Sequence, residues 1–368
     1  MRAALFALLL LCPAAHAQSV PSPPGRPAFG QAPLGPVRPG PQPPPLLDVR
    51  AVPADEAGRQ SYAAFLALNL PRSFVVAVNG RAAGASGATV EQARERALAL
   101  CQDRGGTECK PYAENLSLVW PGRAYTAPAP PGSLLSSINY DFVPDPRFLW
   151  HGPQAARGVY VWSHGRGVGD SRGQQPPAHV RPFNLAGFDV VRFDRHPNSD
   201  DRDRASGWLR DGLAELRRLG YRAVVAGGHS RGAWNSVQML DTPGLVDAVV
   251  AVAAAAHGMG GSTNLTAQWD DMRSMIAGVP PGPARLAFVQ FGNDMFMGDL
   301  DARLRLLERL RPRLGALLVI DRPEGLLGHG AGSTPEFARR FGPCLLRFAL
   351  DPAPPQMCQP APQPPPGG

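Results

Sequence analysis

Gly228-His229-Ser230-Arg231-Gly232 sets a serine between two glycines, after the apolar run 223–226 and before a helical stretch. A serine hydroxyl is a weak nucleophile until backbone geometry exposes it beside a base. A sharp strand-to-helix turn does this, provided small residues on either side let strand and helix close around it. The pattern therefore predicts Ser230 as a nucleophile, with Gly228 and Gly232 permitting the close approach. Arg231 would open the helix, where backbone N–H groups have no intrahelical acceptor, so its N–H can stabilise a developing oxyanion. The five-residue pattern is weak in a chain with 41 glycines. The strand before it and the helix after it make it specific.

Such a turn needs a sheet to stand on. Apolar runs of strand length occur at 158–163, 188–193, 223–226, 248–253, 286–291 and 317–320. Helical stretches at 206–219, 233–240, 267–277 and 301–310 separate most of them, and a final helix is predicted from about residue 334. This alternation predicts an α/β fold, a mostly parallel sheet with helices on both faces. Ligands of such sheets bind beyond the C-terminal ends of the strands. His329, in Leu327-Gly328-His329-Gly330, follows the last strand in a loop freed by glycines and is the candidate base. His257 follows another strand and is its main rival; His229, beside the nucleophile, is expected to pack. His151, His179 and His196 fall on predicted loops and carry no assigned role.

Ser230 in its turn, a His-Gly turn after an earlier strand, and a later acid and histidine resemble the α/β-hydrolase family over residues 121–351. The resemblance implies a Ser-His-Asp triad in which His329 takes the serine proton. The orienting acid would come from the loop after the second-last strand, Phe291-Gly292-Asn293-Asp294-Met295-Phe296-Met297-Gly298-Asp299. Asp294 stands at the strand end and is favoured; Asp299 is expected to cap the following helix. In related enzymes the residue after the His-Gly pair supplies the second oxyanion donor, which here is Arg166 of Ser163-His164-Gly165-Arg166-Gly167. That run lacks the Gly-x-Gly-x-x-Gly and Gly-Lys-Ser/Thr patterns of nucleotide loops. Asp194-Arg195-His196 and residues 199–203 read as a polar loop entering a helix, with Asp194 or Arg195 in reach of substrate as an alternative. Met295 and Met297 read as pocket wall or core.

Upstream, residues 47–120 predict a small α+β accessory domain. A helix at 59–66, a β run at 73–79 ending in the hairpin signal Asn79-Gly80, a helix capped by Thr89, and a closing strand at 115–120 are expected. Arg72-Ser73-Phe74-Val75-Val76-Ala77-Val78-Asn79-Gly80, the cysteine-ended alanine-rich helix and Cys109-Lys110-Pro111-Tyr112-Ala113 resemble a small secreted bacterial module. No chemistry is implied by it, and it holds no clustered histidines or carboxylates. A binding or accessory role, with a cell-envelope partner, is the expectation.

Arg2, the apolar run 3–11 and Ala15-His16-Ala17 form a secretory signal peptide, residues 1–17. The apolar run is too short to span a bilayer, which takes about 20 residues. Leu11 before Cys12 argues against lipid attachment. Residues 18–46 are a proline-rich linker and 352–368 a similar tail. A periplasmic or secreted location follows. Removal of the signal leaves Cys101, Cys109, Cys344 and Cys358, whose spacing suggests two local disulfides, each worth roughly 2–3 kcal/mol. The formal charge of +7 is almost all arginine, Lys110 being the only lysine. The arginines are scattered, without an aromatic-interleaved stripe, which argues against a nucleic-acid partner. No metal or organic cofactor is expected, and no stable membrane insertion. About 30 residues lie between the strand ending near 253 and the next. That leaves no room for a large lid and favours a small-molecule ester over a long-chain lipid. A peptidase on the same scaffold, or a non-catalytic binding protein with a hydrolase-like fold, are the alternatives.

Overall fold

The computed structural model describes residues 43–358 except 168, 200 and 259–263. The expected signal peptide, most of the expected linker and the end of the expected tail lie outside the described residues. The first part of the chain folds as α1 (Glu56–Leu66), β1 (Arg72–Val76), β2 (Ala82–Ser86) and α2 (Val90–Asp103). It continues with β3 (Lys110–Glu114), β4 (Ser117–Leu118) and β5 (Tyr125–Thr126). These strands form one antiparallel sheet in the order β2-β1-β3-β4-β5. Alternation sets its two faces. Phe74, Val76 and Tyr112 meet Tyr62 and Phe65 of α1, while Val75, Ala77 and Ala83 meet Ala97 and Cys101 of α2. Thr89 caps α2 through Gln92 N, as expected. The closing strand expected at 115–120 is shorter: Asn115, at φ 50°, and Leu116 form a tight turn after β3, and Ser117–Leu118 pair with it as β4.

The second sheet has eight strands. They are β6 (Leu135–Ser136), β7 (Tyr140–Pro144), β8 (Gly158–Ser163), β9 (Phe188–Arg195), β10 (Val224–His229), β11 (Ala248–Val252), β12 (Arg285–Gln290) and β13 (Ala316–Asp321). The order is β13-β12-β11-β10-β8-β9-β7-β6. All pairings from β9 through β13 are parallel; β7 joins β9, and β6 joins β7, antiparallel. The helices that connect them are α3 (Arg181–Leu185), α4 (Arg202–Leu219), α5 (Arg231–Gln238), α6 (Leu265–Ala277), α7 (Leu300–Leu310) and α8 (Pro335–Leu350).

Successive side chains on a strand face opposite ways. Val159, Val161, Ala226, Val249 and Phe288 pack under α4 to α7. Tyr160, Trp162, Val225, Val250 and Val289 pack under α3 and α8. Helices therefore cover both faces, and the strand ends alone are left for chemistry. Loops and helices beside the two sheets touch through polar groups as well as apolar ones. Asn69 Nδ2 donates to Pro176 O at 3.2 Å, Arg181 Nε donates to Asn69 Oδ1 at 3.2 Å, and Leu149 enters the core under α1. Cys101–Cys109 and Cys344–Cys358 each lie at disulfide-bonding distance. Among the described residues no helix is long and apolar enough to cross a membrane.

The end of β9 also departs from the sequence expectation. Asp194 and Arg195 are not in a polar loop; they are the last residues of β9 and are buried. Pairing with β7 extends the strand past its apolar run, and buried ion pairs and hydrogen bonds offset the cost of the charges. Arg192 Nη2 lies 3.0 Å from Asp194 Oδ2 and Arg192 Nη1 2.8 Å from Asp145 Oδ2.

Candidate active site

Ser230 sits between β10 and α5 with φ 54° and ψ −119°. That conformation is sparsely populated for a residue with a side chain and costs about 1–3 kcal/mol. The surroundings enforce it. Ser230 N donates to Val252 O at 3.0 Å, and Ser230 O accepts from Trp234 N at 3.0 Å and Ala255 N at 3.2 Å. The flanking glycines are needed on steric grounds. A Cβ on Gly232 would stand 1.9 Å from Ser163 O, and one on Gly228 would stand 2.6 Å from the same atom. Strand β8, helix α5 and the turn after β8 thus meet at van der Waals limits beneath the serine.

The turn after β8, Ser163 to Gly167, is held from below by Arg195. Its Nη1 donates to Ser163 Oγ at 2.7 Å and its Nη2 to His164 O at 2.6 Å. Its backbone N–H donates to His164 Nε2 at 3.2 Å, which leaves Nδ1–H of His164 to donate to Gly165 O at 2.7 Å. Arg195 positions this turn, a role the sequence does not announce.

His329 lies in the loop after β13, and its Nδ1 is 2.8 Å from Asp294 Oδ2. The Asp294 side chain is fully buried. Its Oδ1 accepts from Phe296 N at 2.9 Å, so both carboxylate oxygens are engaged. The Phe296 ring lies 4.6 Å from the His329 ring. Asp299 caps α7 by accepting from Ala302 N at 2.8 Å, the role expected of it. Met297 enters the core, whereas Met295 is exposed.

His229 does more than pack. Its Nε2 donates to His329 O at 2.7 Å, and the two rings lie 4.7 Å apart. Burial, reinforced by His329 nearby, lowers its pKa from 6.5 to about 4, so it is a neutral imidazole with Nε2–H as donor. It fixes the backbone of the His329 loop. Its only sequence signal is its place beside Ser230. His179, expected on a loop, lies in a short 3-10 turn and is fully buried under α8, its Nδ1 3.2 Å from Gly332 O; burial lowers its pKa to about 4.

Ser230, His329, Arg166 and Arg231 line one cavity of about 180 Å³, with Gly165, Gly167, His229, Ala255, Ala256, His257, Gly258 and Phe296. Asp294 stands behind His329. No Ser230–His329 hydrogen bond is formed; such bonds are often long without substrate and tighten in the complex. His257 also faces this cavity, its Nε2 2.6 Å from Asp271 Oδ2 and 2.5 Å from Arg202 Nη1. Buried Gln268 on α6 braces the walls. Its Oε1 accepts from Ala256 N at 2.8 Å and His257 N at 3.3 Å, and its Nε2 donates to Phe296 O. Among the described residues no three histidine, cysteine or acidic side chains converge as a metal site.

The sheet order and the strained serine turn at the end of β10 define the α/β-hydrolase fold. No family model matches the chain, and no curated protein matches it. Among solved structures it is similar to the Pyrococcus furiosus esterase Pf2001. That match has 14% identity, covers 61% of this chain and 100% of the other, and has a TM-score of 0.42. It is also similar to Est1E from Butyrivibrio proteoclasticus, with 12% identity, 54% and 90% covered, TM-score 0.40. For the Pyrococcus horikoshii acylaminoacyl peptidase the values are 14%, 54% and 36%, TM-score 0.39.

Proposed function

We propose that the protein is an exported serine hydrolase that cleaves a small carboxylic ester through an acyl-enzyme. The observation that carries this is the shared cavity: a strained Ser230 and a carboxylate-bound His329 line the same wall space. With Nδ1–H donated to Asp294, His329 keeps Nε2 as an acceptor. Ser230 Oγ attacks the carbonyl carbon while its proton passes to Nε2. The C–O bond to the alcohol then breaks and the proton passes from Nε2 to the departing oxygen. Water, deprotonated by the same nitrogen, attacks the acyl carbon; the proton returns to Ser230 as the acid leaves.

Backbone N–H groups of Arg166 and Arg231 are the proposed oxyanion donors, and each is worth about 3 kcal/mol of barrier. The cavity is little larger than the ~150 Å³ that accommodates a benzene ring, which favours a short acyl group over a long chain. Export rests on residues 1–17 and on the two cysteine pairs, which suit an oxidising compartment. The sheet of β1 to β5 is proposed as an accessory unit for a cell-envelope partner.

A fluorophosphonate probe tests the reading directly. Wild-type protein is expected to be labelled and Ser230→Ala not. Labelling that survives in Ser230→Ala refutes the nucleophile, and absence of labelling in both favours a non-catalytic binding protein. A panel of chromogenic esters and aminoacyl amides separates esterase from peptidase.

A further inference from the structure

We infer that the substrate carries a carboxylate on its acyl side, a few carbons from the scissile carbonyl, with the Arg166 guanidinium as its counterion. The inference rests on the hydrolase reading above and names its substrate class. The residues that line the cavity include cations and no acids. Two arginines and three histidines line it, and none of its twelve lining residues is aspartate or glutamate. The nearby carboxylates are turned to other tasks: Asp294 holds His329, Asp271 holds His257 and Arg202, and Asp203 pairs with Arg202. Arg231 is not the anion site, because its guanidinium is buried and donates to Ala256 O at 2.6 Å.

Arg166 differs. It is exposed and makes no hydrogen bond or ion pair among the described residues. Gly165 and Gly167 on either side also line the cavity, so Arg166 supplies the only side chain this stretch presents. This stretch offers the cavity one side chain, a guanidinium, and guanidinium groups bind carboxylates. The proposed oxyanion donor and the guanidinium belong to the same residue. The length of one arginine side chain thus sets the spacing between the reacting carbonyl and the second anion. In a cavity of about 180 Å³ that spacing matches a four- or five-carbon diacid monoester.

The test compares the 4-nitrophenyl monoester of glutaric acid with 4-nitrophenyl pentanoate, its neutral counterpart, on the full mature chain. Wild type is expected to favour the monoanion at least tenfold in kcat/KM. A charge-assisted hydrogen bond predicts a ten- to hundredfold fall in that ratio in Arg166→Ala, chiefly through KM. Arg166→Lys should restore most of the ratio and Arg166→Glu invert it. A wild-type ratio at or below one, or a ratio untouched by Arg166→Ala, overturns the inference.

Calorimetric titration of Ser230→Ala protein with glutarate and glutaramide separates this outcome from failure of the hydrolase reading. Glutarate binding that is lost in Ser230→Ala/Arg166→Ala sustains the carboxylate site even if neither ester is cleaved. Equal binding of glutarate and glutaramide, or none of either, overturns it.

Discussion

Asp294→Asn is the most informative single change in this protein. Asp294 faces two N–H groups, His329 Nδ1–H through Oδ2 and Phe296 N–H through Oδ1. An asparagine has one acceptor oxygen and one donor nitrogen. If the oxygen keeps Phe296 N–H, the amide N–H₂ points at His329 Nδ1. The imidazole must then accept there and carry its proton on Nε2, the wrong tautomer for taking a proton from Ser230. If the amide flips, Phe296 N–H is left facing a donor in a buried site, at a cost of about 1–3 kcal/mol. The first arrangement avoids that cost, so the wrong tautomer dominates. The expected loss is about 10⁴-fold in kcat, or roughly 5 kcal/mol of barrier, with little change in KM or in melting temperature. Steady-state kinetics on the best ester of the panel, alongside a thermal melt, reads all three. Asp299→Asn is the control, because asparagine caps a helix as well as aspartate does. An Asp294→Asn enzyme within tenfold of wild type, or an Asp299→Asn enzyme equally crippled, refutes the assignment of the acid.

Other perturbations have equally defined outcomes. Gly232→Ala should lower the melting temperature and abolish activity, since its Cβ would strike the Ser163 carbonyl, an overpacking worth at least about 1–3 kcal/mol. Gly282→Ala, with open space around it, should do neither. Fully buried Asp189 has its pKa raised by burial from 3.8 to about 6, so the native state resists its ionisation. Its contribution is therefore favourable below pH 4 and lost as pH rises through 6, by about 3 kcal/mol. Asp189→Asn keeps the His151 N–H and Tyr221 hydroxyl partners and should melt higher than wild type at pH 8, with the difference vanishing at pH 4. His179 works in the opposite sense: its pKa is depressed to about 4, so its contribution is complete above pH 6.5 and lost as pH falls to 4. The slope of melting temperature against pH in Asp189→Asn should therefore be steeper on the acid side than in wild type, and a parallel pair of curves would contradict the Asp189 assignment.

The sequence made the parallel core legible because β8 to β13 are apolar runs punctuated by helices. It did not reveal β6 and β7, which are short and end at Pro144, nor β3, whose Lys110-Pro111-Tyr112-Ala113-Glu114 has the composition of a loop. Those strands exist because neighbours need their hydrogen bonds, and propensity yields to that demand. The serine turn was readable from spacing, and the order of acid and histidine from resemblance. The supports of the site were not. Arg195 acts through a hydroxyl and a carbonyl about 30 residues upstream, and His229 through the His329 carbonyl. A backbone acceptor leaves no mark on the sequence, so a side chain that serves one looks idle until the chain is folded.

The Gln268 amide has a consequence for how this cavity can change. One buried side chain, borne on a helix, fastens the strip beside Ser230 to the strip beside His329. The gap between them is therefore gauged by a rigid rod and not by the loops that form the mouth. The two strips can part only if that amide lets go of one of them.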